Sequence, residues 1–153
     1  MKRILLLSLI ALISVASCKK DKKKEISKPV TEQLKGTWLT ISENSVYFDS
    51  SNKQVFQSSN TPGSKYIIGD AINRYNLAEN HDLSSSYAVT NVNGKNYISF
   101  TDGGVSQRFE VIYVDTKMMT WKQETTNVTY NDNGTKTAAK VVYTINFHCP
   151  CRD

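Results

Sequence analysis

The sequence predicts an all-β protein: an antiparallel up-and-down meander closed into a barrel of about eight strands, after a short helical turn. Three observations predict this. Apolar and polar residues alternate with period two between turn signals over most of residues 29–153, the mark of half-buried strands. Helical periodicity is confined to SKPVTEQLKG, Ser27 to Gly36, where Gly36 supplies the stop. Finally, each hairpin turn of the C-terminal half dictates which residues face each other, and all of them assign bulky residues to one face.

The chain begins with Lys2 and Arg3, followed by the apolar run ILLLSLIALISVA, Ile4 to Ala16. That run is shorter than the roughly 20 residues that span a bilayer, so a secretory signal is expected over residues 1–17. It ends in Val15-Ala16-Ser17-Cys18, which resembles the bacterial lipobox. The resemblance implies a diacylated Cys18 as the mature N-terminus, anchored in a membrane by its acyl chains at about 0.8 kcal/mol per buried methylene. Residues 18–28 then read as a solvated tether, because KKDKKKE holds no large apolar side chain. The charge follows the same division. Of the net +5, two positive charges leave with the signal and four belong to residues 19–28, so residues 29–153 carry −1. A basic pI confined to signal and tether is no argument for nucleic-acid binding by the domain.

Residues 29–153 suffice for one domain with its own core. In its N-terminal half, strands are expected at Thr37 to Tyr47, Gln54 to Gln57, Tyr66 to Ile68 and Ile72 to Ala78. Between them, 58–63 and 79–82 look loop-like. The C-terminal half is better defined. Asn93-Gly94 suits a two-residue turn, pairing Val89 with Ile98 and Tyr87 with Phe100. Asp102-Gly103 would pair Phe100 with Val105. A three-residue loop at Asp115-Thr116-Lys117 would pair Tyr113 with Met119 and Val111 with Trp121. Asp132-Asn133-Gly134 sets Trp121 opposite Ile145, Met119 opposite Phe147 and Gln123 opposite Tyr143. The common inner face is therefore Tyr87, Val89, Ile98, Phe100, Phe109, Val111, Tyr113, Met119, Trp121, Tyr143, Ile145 and Phe147. Burying such a face by closing the sheet also removes its edges.

A helical turn followed by Gly36-Thr37-Trp38 and a meander resembles the lipocalins. With the lipobox and charged tether, the chain resembles lipocalin-like lipoproteins of Bacteroidota. The resemblance implies that Trp38, introduced by Gly36, packs across the closed end of the barrel. A basic residue after the last strand often covers that tryptophan in the family, and Arg152 occupies such a place here. It also implies an outer-membrane anchor, facing the periplasm or the cell surface, and a small, partly apolar ligand. Alternation from Trp38 places Val141, Tyr143, Gln123 and Thr125 toward the open mouth, above Phe100, Phe109 and Trp121. These seven are the candidate ligand-binding residues.

Little else suggests chemistry. His148-Cys149-Pro150-Cys151 could form a disulfide, remain as thiols, or offer ligands to a soft metal. A closed metal site needs four ligands, so no metal is assigned. With two histidines, no Gly-x-Ser-x-Gly and no His-Glu-x-x-His, the chain has no recognisable catalytic motif, and neither an enzyme nor a cofactor is expected. The competing expectation is a filled barrel that meets a protein or glycan through its loops.

Overall fold

The computed structural model describes residues 28–60, 63–76 and 81–150. The signal, Cys18, most of the tether, Cys151 and Arg152 lie outside them.

Among the described residues one short helix, α1 (Val30–Leu34), precedes ten strands: β1 (Gly36–Phe48), β2 (Gln54–Asn60), β3 (Ser64–Ile68), β4 (Ile72–Asn76), β5 (His81–Ser85), β6 (Tyr87–Val92), β7 (Lys95–Asp102), β8 (Val105–Val114), β9 (Met118–Asn131) and β10 (Thr135–His148). The antiparallel sheet runs β5-β4-β3-β1-β10-β9-β8-β7-β6, so the first strand pairs with the last. A nearly closed barrel results. Its seam falls between β5 and β6, where the Thr101 amide on β7 donates to Ser85 Oγ at 3.2 Å.

Ten strands form where about eight were expected, because two stretches are interrupted. β2 and β3 lie end to end along one edge of β1, opposite Glu43–Phe48 and Gly36–Leu39 respectively. β5 and β6 are separated by Ser86 alone, and they pair with β4 and β7 respectively. Two segments read as loop-like are therefore partly strand: residues 58–60 extend β2, and 81–82 open β5.

Most hairpin registers agree with turn chemistry. Asn93 and Gly94 both have positive φ, and Val89 pairs with Ile98 and Tyr87 with Phe100. Trp121 faces Ile145, Met119 faces Phe147 and Gln123 faces Tyr143. Two local readings are corrected. The β7–β8 turn uses Gly103-Gly104, which adopt φ of 56° and 82° without a Cβ penalty, so Phe100 pairs with Gln107 and not Val105. That slip preserves parity and therefore the inner face. Near the β8–β9 turn an irregularity at Ile112 pairs Tyr113 with Thr120 and Val114 with Met119. Tyr113 is consequently turned outward, 50% exposed, while Val114 packs on the core.

At one end Leu34 and Trp38 are buried, and Trp38 Nε1 donates to the Leu34 carbonyl at 2.8 Å. A five-residue helix is too short to persist alone in water. This hydrogen bond and the burial of Leu34 hold it beneath the sheet. Gly36, at φ +142°, makes the sharp entry into β1 in a conformation that a side chain would strain.

Candidate functional site

The barrel interior has an aromatic part and a polar part. Trp121, fully buried on β9, is the hub of the first. Its ring centroid lies 4.7 Å from Phe147, 5.5 Å from Phe109, 5.6 Å from Tyr66 and 6.0 Å from Phe100. Tyr143 joins through Phe109 at 6.3 Å. Four of the seven expected ligand-binding residues, Phe100, Phe109, Trp121 and Tyr143, are thus one contiguous group. Gln123 is partly buried, its side-chain amide donating to Gln107 Oε1 at 3.3 Å. Val141 is partly buried, but Thr125 opposite it is exposed and stands apart from the group.

The polar part was not foreseen. β1 carries an irregularity between Thr40 and Ser42, leaving Ile41 as the extra residue, 45% exposed. The inward parity then changes from Trp38 and Thr40 to Glu43, which pairs with buried Ile145. Glu43 Oε2 accepts a 2.7 Å hydrogen bond from the Tyr143 hydroxyl. Arg74, cross-strand partner of Tyr66, reaches over the β5/β6 seam to Asp102 on β7, with Nη1 2.5 Å from Oδ2. Simple alternation carried a signal for two of these. Arg74 follows Ile72 by two residues and Asp102 follows Phe100 by two, which places charged side chains on an inward face.

Glu43, Tyr66, Arg74, Asp102 and Tyr143 act on one another electrostatically. Burial raises the Tyr66 phenol to about 12, with Arg74 opposing the shift. Burial, then the hydrogen bond to Glu43, raises Tyr143 well above the usual phenol range. Both remain neutral hydroxyls at physiological pH. With Glu43 and Asp102 as carboxylates and Arg74 as a cation, the cluster has a formal charge of −1.

Because folded Tyr66 holds its proton more tightly than unfolded tyrosine, its contribution is complete below pH 10 and is lost as pH rises toward 12. The loss amounts to about 2 to 3 kcal/mol. Urea unfolding at pH 8 and pH 12 should show it, with Tyr66→Phe flattening the alkaline decline. An equal decline in the variant would exclude Tyr66 as the cause.

Two buried side-chain polar atoms among the described residues have no hydrogen-bond partner, Arg74 Nε and Trp121 Nε1. A buried donor left unpaired costs about 1–3 kcal/mol, so two in one interior require an explanation.

Outside the barrel, Lys95, Tyr97, Arg108, Glu110, Lys122, Gln123 and Glu124 line a cleft of about 410 Å³. Lys95 and Lys122 pair with Glu110 at 3.2 and 3.5 Å, and Arg108 lies over the Tyr97 ring at 4.1 Å. Elsewhere, Cys149 is a free thiol, 3% exposed, packed into the core cluster. Cys151, with which the sequence left open a disulfide, free thiols or metal ligation, lies outside the described residues. Among those residues no three His, Cys, Asp or Glu side chains gather as a metal site.

A scan against protein-family models finds no match to this chain, and neither do searches of curated proteins and of solved structures.

Proposed function

We propose that the protein is an envelope-anchored, non-catalytic lipoprotein whose lipocalin-like barrel binds one small, partly apolar molecule. The observation that carries this reading is the composition of the interior. Aromatic rings around Trp121 adjoin a half-buried polar cluster, and one donor in each part, Trp121 Nε1 and Arg74 Nε, has no hydrogen-bond partner among the described residues. Ligand sites commonly combine an apolar surface with a few placed polar groups. Native mass spectrometry of the full-length protein, extracted from its own cells, should reveal a retained small-molecule mass. Complete absence of bound mass, together with unchanged tryptophan fluorescence on adding small apolar probes, would refute ligand binding.

The anchor has a separate test. Cys18→Ala should abolish metabolic labelling with palmitate and move the protein from the outer-membrane fraction to the soluble one, whichever face of the membrane it occupies. Persistent labelling would refute the assignment.

A second reading, a filled barrel that meets a protein or glycan, is favoured by the mutual contact of the rings from Phe147 through Trp121 and Phe109 to Tyr143. In that case the outer charged cleft, and not the interior, becomes the surface of interest.

A further inference from the structure

We infer that the molecule held by this barrel is electrically neutral and presents a hydrogen-bond acceptor oxygen, as a carbonyl, ether or hydroxyl, to Arg74 and Trp121. This rests on the reading that the barrel binds a ligand and specifies its chemistry.

The two unpartnered groups are both donors. An indole N–H can only donate, and a guanidinium has five donors and no acceptor, so only an acceptor can satisfy either. They belong to separate strands, β4 and β9, and Tyr66 on β3 links them across the interior. Tyr66 is the cross-strand partner of Arg74, and its ring meets Trp121 edge-on at 5.6 Å. The Trp121 side chain is fully buried, leaving its N–H only what enters the interior.

Charge then selects among acceptors. A carboxylate or phosphate would satisfy the donors, but the Arg74 cation is already matched by Asp102 at 2.5 Å. An incoming anion would have to displace Asp102 and approach Glu43, whose carboxylate lies in the same cluster. A cationic ligand would suit Glu43, yet an ammonium group is itself only a donor and leaves both N–H groups unsatisfied. A neutral oxygen satisfies the donors without disturbing the ion pair. Phe100, Phe109 and Trp121 supply the apolar surface for the rest of the molecule. The Tyr143 hydroxyl is committed to Glu43 and does not compete.

The test uses three probes with the same apolar body: hexanamide, hexanoate and hexylamine. Each is titrated at pH 7 into the full-length detergent-solubilised protein and followed by the two indole N–H NMR signals, assigned through Trp38→Phe. Hexanamide should bind tightest and move the Trp121 signal downfield while leaving Trp38 in place. Arg74→Lys, which keeps the charge but removes Nε–H, should weaken amide binding roughly tenfold and leave hexylamine unaffected.

The inference is overturned if hexanoate or hexylamine binds as tightly as the amide, or if the amide binds without moving the Trp121 signal. It also falls if that signal exchanges with a bound water and no probe shifts it. Should a charged molecule be found retained by the native protein, the inference fails while ligand binding stands. Failure of all three probes, with no retained molecule, removes both.

Discussion

Replacing Trp121 with alanine should destabilise the protein by about 3–5 kcal/mol, as expected for truncating a buried aromatic at the centre of a core. The side chain is fully buried and meets four other rings, contributed by β3, β7, β8 and β10. Its removal therefore opens a void that no single strand can shift to fill. Against a total stability of about 5–15 kcal/mol for an ordinary domain, this is a large fraction. Urea unfolding followed by circular dichroism provides the measurement, and Trp38 remains as a fluorescent reporter. Trp121→Phe should cost less, because most of the ring contacts persist and the unpaired N–H disappears. A loss below about 1 kcal/mol for the alanine variant would mean that the interior relaxes freely, contrary to a packed ring cluster.

Trp38→Ala should have a comparable effect by a different route. Trp38 is 1% exposed, and its indole N–H holds the Leu34 carbonyl. The variant loses both the buried ring and the tie to α1, so about 3–5 kcal/mol of stability should disappear. The damage should also be localised. Hydrogen exchange should accelerate in residues 30–40 more than in the β9–β10 ladder. Trp38→Phe separates the two contributions by keeping a ring while removing the donor, at about 1 kcal/mol for the hydrogen bond. Uniform acceleration across both regions in the alanine variant would show that the α1–Trp38 end of the barrel does not behave as a separable unit.

Legibility in the sequence followed the range of the interaction that decides each feature. Hairpin pairing is local: Asn93-Gly94 and Asp132-Asn133-Gly134 constrain a few dihedrals, and period two carries their registers up to Gln123 opposite Tyr143. The aromatic group of Phe100, Phe109, Trp121 and Tyr143 was accordingly readable from turns and parity alone. Irregularities broke that propagation. Nothing in TWLTISE marks Ile41 as an extra residue, because the displaced register is set by pairing with β10 about a hundred positions away. Without that shift Glu43 would face solvent. Ile112 had the same effect on Tyr113, whose aromatic character suggested burial although the strand turns it outward.

The sequence by itself determined the class of fold, the face that is buried, the helical turn leading into Gly36 and Trp38, and the concentration of positive charge ahead of the domain. These depend on backbone preferences and alternation within a strand or across one tight turn. Tertiary structure alone decided that β1 closes on β10, that β2 and β3 share one edge of β1, and that Arg74 crosses the seam to Asp102. It also decided which buried donors remain unsatisfied. Each of those outcomes depends on which distant strands meet, and at what stagger, when one apolar face encloses itself. No short stretch of sequence carries that information, because the cost and the gain belong to partners that come together only in the closed barrel.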